Sequence, residues 1–434
     1  MLTINDWQNL SIEEKQQKLS RPKQTKSFKP QVQAIIEAVR TRGDEALFAL
    51  TREFDAVDLK KLNVSADRIQ KAKISAQANS ALNQAIETIR AYHQAILPQP
   101  KQITTARGVS IERVYRPINR VGLYVPGGNN TPLVSSLLMQ AIPALVAGCP
   151  LKILCTPPNS QGEIDPHLLV AARLCGIETI YQIGGAQAIA AMAYGTETIP
   201  KMDKLFGPGN RFVTEAKTQV SSDPAGAAID MPAGPSEVMV FADNQANPEF
   251  VAADLLAQAE HGSDSQVILI AEGRDFALKV NQALQQQLLS LSRQTILKEA
   301  LQNSIILICS DPIEQLEIIN TYAPEHLIIN RSDAKDWVAS ITAAGTVFLG
   351  PWAAETMGDY VTGSNHVLPT NGYARNHSGL CTMDFLKTLT LQSISVEGLN
   401  SLGKAAETLA LIEGLDAHAN AVTLRLNSLK AMES

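Results

Sequence analysis

Residues 121–155 read VGLYVPGGNNTPLVSSLLMQAIPALVAGCPLKILC. An apolar run at Val121–Val125 ends in a glycine-rich turn, apolar residues at helical spacing follow over Pro132–Ala147, and a second apolar run covers Leu151–Cys155. This succession of strand, helix and strand is typical of the parallel layers of α/β proteins. It therefore predicts one β/α unit of a parallel sheet.

The same alternation extends from this unit through two consecutive blocks of sequence. The first block covers residues 119–235 and adds predicted strands at Thr179–Ile183 and Lys204–Phe206. The second block has predicted strands at Glu237–Phe241, Gln266–Ile270, Ser304–Ile308, His326–Ile329 and Thr346–Leu349. Two such blocks predict an α/β fold with two incomplete Rossmann-like domains, each built on a parallel sheet.

The segments outside these blocks show helical spacing of their apolar residues. Residues 1–20 are predicted to form an N-terminal helical arm, and residues 383–434 a C-terminal helical tail. We assign residues 21–118 and 236–382 to a first α/β domain and residues 119–235 to a second, Rossmann-like domain. Isolated helices are marginal in water, so the apolar face of the tail requires a partner surface.

Composition narrows the class of protein and its partners. With 434 residues, of which 45% are hydrophobic and 18% charged, the chain is predicted to be globular with more than one domain. A net charge of −6 argues against a nucleic-acid partner. No apolar run approaches the roughly 20 residues that span a bilayer, and the polar N-terminus lacks the apolar stretch of a signal peptide. We therefore expect a cytoplasmic protein with no membrane partner.

The cysteines make a thiol-based site improbable. Their number is odd, and the sequence contains no pair separated by two residues: Cys149, Cys155, Cys175, Cys309 and Cys381. A disulfide framework or a zinc site built from thiolates is therefore not expected.

Three glycine-rich turns follow predicted strands of the first block. They cover Tyr124–Thr131, Gln182–Gln187 and Leu205–Asn210. Backbone amides at such turns, next to helix N-termini, suit phosphate groups. The turns do not fit the G-x-G-x-x-G fingerprint, and each taken singly is explained as a tight connection. Three turns at equivalent strand ends are better evidence, because α/β sheets bind ligands beyond their carboxyl ends.

Polar side chains in the second block and the tail are candidates for metal binding. Gln258 and His261 are three residues apart at the end of a predicted helix, so they share one helical face and could hold a metal. The simpler interpretation is that His261 interacts with the C-terminal end of the helix. Asp359 and His418 are further candidates, but spacing alone does not connect these four residues.

An adjacent acid and histidine open one predicted strand of the second block. Glu325 and His326 precede an apolar run, where a buried charge needs a partner. The histidine could exchange protons near neutral pH, and the glutamate could orient a water molecule. Polar residues at a strand edge are also ordinary, and His366 is equally explained by a hydrogen bond within its loop.

Together, these segments closely resemble the histidinol dehydrogenase family. The matching segments lie in the same order over nearly the whole chain, and residues 1–110 are the least diagnostic. They are RVGLYVPGG at 120–128, GGAQAIAAMAYGT at 184–196, FGPGNRFVTEAK at 206–217, AAIDMPAGPSEV at 227–238, AQAEHGSDSQVILI at 257–270, YAPEHLII at 322–329, SNHVLPT at 364–370 and AHANAVTLR at 417–425.

The resemblance implies an enzyme that oxidises L-histidinol to L-histidine through L-histidinal, with two NAD⁺ and one zinc ion per site. By the same resemblance the catalytic pair is Glu325 and His326. The implied NAD contacts are Tyr124, Gln187 and Asn210. The implied zinc ligands are Gln258, His261, Asp359 and His418. The implied substrate contacts are Ser236, Gln258, His261, His326, Asp359, Glu413 and His418, with His366 as a further candidate.

The resemblance also implies a homodimer in which the tail crosses over, so that Glu413 and His418 serve the neighbouring site. Three other functions stay open at this point. A relative could oxidise a different polar alcohol, although the presence of Glu413 and His418 argues against it. A zinc hydrolase would not need the three glycine-rich turns, and a binding protein with two lobes would not need the Glu-His pair.

Overall fold

The computed structural model describes residues 1–22, 27–127, 131–231 and 234–433. Part of the first glycine-rich turn (residues 128–130), two residues of the segment at 227–238 (232 and 233) and Ser434 lie outside the described residues. The strands are Thr3–Asp6 (β1), Lys101–Ala106 (β2), Val109–Pro117 (β3), Arg120–Tyr124 (β4), Leu151–Cys155 (β5), Thr179–Tyr181 (β6), Lys204–Phe206 (β7), Ala228–Ile229 (β8), Glu237–Ala242 (β9), Gln266–Ala271 (β10), Ile305–Ile308 (β11), His326–Asn330 (β12), Thr346–Leu349 (β13) and Leu386–Ile394 (β14).

Helices connect these strands and flank the sheets. They are Ile12–Lys18 (α1), Lys29–Arg42 (α2), Asp44–Asp55 (α3), Ala66–Lys71 (α4), Ala76–Ala95 (α5), Val134–Val146 (α6), Pro166–Leu174 (α7), Gly185–Tyr194 (α8), Arg211–Ser222 (α9), Pro248–Ala259 (α10), Arg274–Leu288 (α11), Gln294–Gln302 (α12), Pro312–Tyr322 (α13), Ala334–Trp337 (α14), Glu355–Tyr360 (α15), Val396–Ile412 (α16) and Asp416–Glu433 (α17). No helix among the described residues is both long and apolar enough to cross a membrane.

Two parallel sheets form the centre of the molecule, as the sequence predicts. One has six strands in the order β1-β11-β10-β9-β12-β13, and the other has five in the order β6-β5-β4-β7-β8. Every residue of β9, β10 and β12 is buried, because helices cover both faces of the sheet. The α/β class with two Rossmann-like sheets is therefore confirmed.

The N-terminal arm and the tail contain strands that helical spacing did not predict. Thr3–Asp6 pairs with Ile305–Ile308 at the edge of the six-stranded sheet, and the short helix α1 follows it. Leu386–Ile394 pairs with β3, which also pairs with β2, in a third, antiparallel sheet. Eight of the nine residues of β14 are exposed. The alternation of buried and exposed residues that identifies a strand in a sequence is therefore missing from this segment.

Packing divides the helices between the two parallel sheets. Apolar residues of α2, α3 and α5, among them Val32, Leu47 and Ile89, share hydrophobic clusters with the five-stranded sheet. These helices belong to the segment 21–118, which we had grouped with residues 236–382. The grouping into domains stays a prediction. The helices α2, α3 and α5 pack against the five-stranded sheet rather than against the six-stranded sheet of residues 236–382.

The tail begins at the five-stranded sheet, where Phe385 stacks on Phe206, and its later contacts are chiefly with the antiparallel sheet and within the tail itself. Helix α17 packs against α16, and α16 contacts β14. Apolar side chains of the tail are left open to solvent, including Ile394 at 60%, Leu409 at 61% and Ile412 at 75% of full exposure. The other residues that the structure describes do not cover this apolar surface.

Candidate active site

A cavity of about 350 Å³ lies between the two parallel sheets. It brings together most of the residues that the sequence marked as candidates. Those that line it are Asn210, Ser236, His261, Glu325, His326, Asp359 and His366. The loop Gly207–Asn210 comes from the five-stranded sheet, and the other members come from the six-stranded sheet and the loops after it.

The six-stranded sheet contributes its amino edge to the cavity, that is, the edge at which its parallel strands begin. Glu237 opens β9 and His326 opens β12, and these strands are neighbours in which His326 pairs with Val238. Helix α10 runs back from the opposite edge and ends at Ala259, which brings the buried Gln258 to the same place. The C-terminal end of a helix carries partial negative charge, so this location favours a cation.

The backbone of Glu237 holds both members of the Glu-His pair. Its amide donates a hydrogen bond of 2.8 Å to Glu325 Oε2, and its carbonyl oxygen lies 3.1 Å from His326 Nδ1. Because a carbonyl can only accept, His326 Nδ1 carries a proton and donates it. The amide of Gln258 donates a second hydrogen bond, of 3.3 Å, to Glu325 Oε2. Both side chains are thereby fixed in orientation.

Carboxylates surround the imidazole of His326. Glu325 Oε2 and Glu355 Oε1 lie 3.5 and 3.6 Å from Nδ1, and Asp359 Oδ1 lies 3.7 Å from Nε2. Burial lowers the pKa of His326, but the charges of Glu355, Glu325 and Asp359 outweigh burial and raise this pKa well above its usual value. Burial raises the pKa of Glu355 in turn.

Several buried polar atoms at this edge lack a hydrogen bond. Gln258 Oε1, His326 Nε2 and Glu355 Oε2 make no hydrogen bond within the described residues. Ligand atoms of His326, Glu355 and Asp359 lie within 4.8 Å of one another. Buried polar groups are nearly always paired, so these atoms fit a bound metal and substrate. Nitrogen and oxygen donors without thiolate suit a catalytic zinc ion rather than a closed structural one.

His366 contacts the same group from the loop after α15. Its Nδ1 lies 2.9 Å from the backbone carbonyl of Asp359, so this nitrogen donates and the ring is held beside the aspartate. Burial lowers the pKa of His366, against the opposing charge of Asp359. A neutral imidazole at this position can accept a hydrogen bond from a polar ligand.

The five-stranded sheet contributes its carboxyl edge. Tyr124 ends β4, and its hydroxyl accepts a 3.0 Å hydrogen bond from the amide of Gly185 at the start of α8. Gln187 lies buried in the first turn of α8. The side chain of Asn210 caps α9 by accepting from the amides of Phe212 and Val213. Asn210 lines the cavity, whereas Tyr124 and Gln187 lie outside its lining.

At two positions of this edge, steric contacts leave room only for glycine. A Cβ on Gly127 or Gly184 would approach side-chain carbons of Pro157 to 2.5 and 2.6 Å. Gly127 also lines a second cavity, of about 430 Å³, beside Asp55 and Thr156. Asp55 Oδ2 and Thr156 Oγ1 are buried there without a hydrogen-bond partner among the described residues. Asp55 was not among the candidates predicted from the sequence, because its position at the end of a helix gives no signal.

The structure does not bring the tail residues to the cavity. Glu413 follows α16 and His418 lies in α17, and both are exposed. Sequence reasoning also missed Glu355 and Glu237. A signal for Glu355 was present, because it precedes Asp359 by four residues and therefore shares its helical face. The role of Glu237 lies in its backbone and could not be recognised from its side chain.

Comparison with known proteins identifies the family. The family model for histidinol dehydrogenase matches residues 19–426. The chain is 64% identical to the histidinol dehydrogenase of Legionella pneumophila (strain Paris), covering 99% of this chain and 100% of that protein. It is 49% identical to that of Escherichia coli (strain K12), with 99% and 98% covered.

The fold agrees with this result. The crystal structure of histidinol dehydrogenase from Elizabethkingia anophelis superposes with a TM-score of 0.95 at 42% identity, over 99% of both chains. The chain therefore belongs to the histidinol dehydrogenase family, NAD-using oxidoreductases of histidine biosynthesis that act on histidinol.

Proposed function

We propose that this chain oxidises L-histidinol to L-histidine through L-histidinal, in a zinc-dependent site that uses two NAD⁺ in sequence. The observation that carries the proposal is the cavity between the two sheets. One wall holds the oriented Glu325–His326 pair, with the buried Gln258 behind it, and the other wall holds the capped start of α9 at Asn210. A metal and an acid-base pair thus face a nucleotide-binding edge.

The proposed zinc ligands are Gln258, His261, Asp359 and His418 of the partner subunit. The unpaired Gln258 Oε1 and the place of His261 and Asp359 in the cavity lining support three of them. Zinc bound there would serve as a template that holds the imidazole and amine of histidinol. Substrate would also contact His326, Ser236, His366 and the partner subunit's Glu413, which offers a carboxylate to the charged end.

His326 is proposed to be the base that removes the proton of the alcohol. The positive charge of a metal held by Asp359 would oppose the carboxylates that raise the pKa of His326, so that the neutral, proton-accepting imidazole is available. Its Nδ1 is committed to the carbonyl of Glu237, so Nε2, which has no hydrogen-bond partner among the described residues, is the atom that faces the reaction. Fixing one nitrogen by a backbone carbonyl sets the tautomer of a catalytic histidine. A base held in this way needs no reorientation before proton transfer.

Glu325 is proposed to activate the water that attacks the aldehyde in the second half of the reaction. Both hydrogen bonds that its carboxylate accepts from the described residues, from the Glu237 amide and the Gln258 side chain, end on Oε2. This leaves Oε1 for a water molecule. The carboxylate is 6% exposed, so the water it orients is largely shielded from bulk solvent.

NAD is proposed to bind along the carboxyl edge of the five-stranded sheet, where it accepts the hydride when bound. Asn210 would meet the nicotinamide half, and Tyr124 and Gln187 would lie beside the phosphates at the N-terminus of α8. The cavity of about 430 Å³ has room for the adenosine half. Its unpaired Asp55 suits the ribose hydroxyls, which acidic residues bind in dinucleotide folds.

A homodimer is proposed to complete the site. Glu413 and His418 are exposed on a tail with several exposed apolar side chains, and no described residue of the tail is among those that line the cavity. Both facts are explained if each tail packs on the partner subunit and reaches its cavity.

The test is the stoichiometry of the reaction with purified protein, zinc and L-histidinol. We expect two NADH for each histidine formed, followed by absorbance and amino-acid analysis. One NADH per substrate with histidinal accumulating, or turnover of a simple diol but not of histidinol, would contradict the proposal. A sample with NAD omitted controls for hydrolytic chemistry.

A further inference from the structure

Both members of the Glu-His pair depend on one residue that is not part of the proposed chemistry. The amide of Glu237 binds Glu325 Oε2 at 2.8 Å, and its carbonyl accepts from His326 Nδ1 at 3.1 Å. A small rotation of this single peptide segment would therefore turn both catalytic side chains at once. The backbone orientation of Glu237 therefore helps to set the orientations of the Glu325 and His326 side chains.

The side chain of Glu237 is in turn fixed by Arg21. The guanidinium forms two parallel hydrogen bonds to it, Nε to Oε1 at 2.5 Å and Nη2 to Oε2 at 2.8 Å. The amide of Asn371 donates a third, of 2.8 Å, to Oε1. Bidentate pairs of this kind restrict geometry more than a single contact does. Glu237 is 2% exposed, so water does not compete for these bonds.

Arg21 also holds the turn that leads into the catalytic strand. Its Nη2 donates to the carbonyl of Tyr322 at 2.8 Å and lies 3.4 Å from that of Ala323, and the guanidinium stacks 4.1 Å from the centre of the Tyr322 ring. Ala323 adopts a left-handed conformation, with φ of 53°, two residues before Glu325. One guanidinium thus connects the start of β9 with the turn before β12.

We propose that Arg21 and Glu237 form a positioning pair that sets the geometry of Glu325 and His326 for both half-reactions. This inference rests on the proposed function, because it takes Glu325 and His326 as the catalytic groups. It assigns a role to the N-terminal segment, which reaches across to two neighbouring strands of the six-stranded sheet. Misplacement of catalytic groups by about 1 Å can lower rates about 100-fold, and we expect loss of the positioning pair to lower kcat by up to this factor.

The experiment compares Arg→Lys substitutions at two arginines that contact the same region of the sheet. Arg21 contacts the start of β9 and the turn before β12, and Arg331 follows β12 and stacks over Phe241 of β9. Arg21→Lys keeps the charge but removes the planar fork. Arg331→Lys is the matched control: Arg331 pairs with Glu272 and Asp333 and stacks over the ring of Trp337, next to the carboxyl end of β12. It contacts none of the proposed catalytic residues.

We expect Arg21→Lys to lower kcat for both histidinol and histidinal by about 10- to 100-fold. The KM for histidinol, its affinity by calorimetry and the zinc content should stay close to those of the unaltered protein. Arg331→Lys should lower the melting temperature to a similar degree and leave kcat unchanged. If the two variants lose kcat equally, or if Arg21→Lys changes only melting temperature, the positioning role is wrong.

A double-mutant cycle gives a second, independent test. Glu237→Gln keeps the backbone groups but weakens the contact with Arg21, so it should lower kcat as Arg21→Lys does. The double variant should be no slower than the slower single variant, because the two residues act as one unit. Additive losses would overturn the inference. Full activity in both Glu325→Gln and His326→Asn would instead show that the proposed catalytic pair is wrong.

Discussion

The two parallel sheets contribute opposite edges to one cavity. The five-stranded sheet presents its carboxyl edge, with the helix N-termini of α8 and α9 and glycines that leave the backbone open. The six-stranded sheet presents its amino edge, where α10 ends and acidic side chains collect. Those around His326 are Glu325, Glu355 and Asp359, with Glu237 and Asp254 nearby.

This difference assigns opposite charges to the two halves of the cavity. Helix N-termini favour anions such as the phosphates of a dinucleotide. Helix C-termini and carboxylates favour cations such as a metal ion or an ammonium group. The general rule that α/β sheets bind ligands at their carboxyl edge agrees with the proposed NAD site on one sheet, but it does not point to the proposed catalytic pair on the other. Substitutions at each edge test this separation.

Removal of the metal should abolish activity and leave the nucleotide edge intact. We expect a chelator to eliminate turnover and His261→Asn to lose zinc, measured by metal analysis, with little change in circular dichroism. Binding of ADP-ribose to this variant should be unchanged, because its proposed site is on the other sheet. The exposed His377 provides a control, since His377→Asn should keep zinc and activity. Full activity in demonstrably metal-free protein would contradict the prediction.

A reciprocal variant at Asp55, which ends α3 and lines the cavity beside the five-stranded sheet, sharpens the same comparison. Asp55→Asn should retain zinc and weaken ADP-ribose binding about tenfold, the value of a lost hydrogen bond to a charged group. Metal analysis measures the zinc content, and calorimetry measures the affinity for ADP-ribose. Loss of zinc in this variant would show that the two edges are not independent.

Substitution of the catalytic pair should separate the two half-reactions. Glu325→Gln removes the carboxylate proposed to activate water, so it should impair oxidation of histidinal more than oxidation of histidinol. His326→Asn should slow proton transfer by about 10²- to 10⁴-fold. Stopped-flow measurement of NADH with each substrate distinguishes these outcomes. The assigned roles would be wrong if Glu325→Gln damaged the alcohol step alone.

Mixing two inactive variants should restore part of the activity if the tail crosses between subunits. A heterodimer of His261→Asn and His418→Asn subunits would have one site with both lesions and one site with neither. Up to half of the sites in that heterodimer population should then turn over histidinol. Proven subunit exchange without recovered activity would show that His418 serves its own chain.

Stability should depend on pH through the acidic amino edge. Burial raises the pKa of Asp254 to about 7, so the folded protein keeps a proton that the unfolded chain releases near its ordinary value. The folded state therefore binds more protons between about pH 4 and 7, and the free energy of unfolding falls as pH rises through that window. Asp254→Asn should flatten this dependence and stabilise the protein above pH 7, by a few kcal/mol at most.

Urea unfolding at pH 5 and pH 8 measures the effect. Asp275→Asn, at an exposed position in α11, is the control and should leave the pH dependence unchanged. If the free energy of unfolding changes equally with pH in the Asp254 variant and in the unaltered protein, the pKa of Asp254 is the same in the folded and unfolded states.

Much of the parallel framework could be predicted because burial on both faces leaves a local pattern. The strands of the two blocks, such as Leu151–Cys155 and Lys204–Phe206, are found at the predicted residues. The antiparallel strand Leu386–Ile394 was missed, because an exposed strand shows no such pattern. Of the candidate site, sequence resemblance supplied the residue names, and spacing alone could not connect them.

The sequence by itself determined the α/β class, the family and the side chains available for chemistry, because these follow from local patterning and from ordered motifs. Only the tertiary structure decided which edges of the two sheets face each other. It also decided that Arg21 meets Glu237 across 216 residues of chain, and that Glu355 joins His326. Such contacts depend on strand order and on packing between distant segments, and no local periodicity in the chain encodes them.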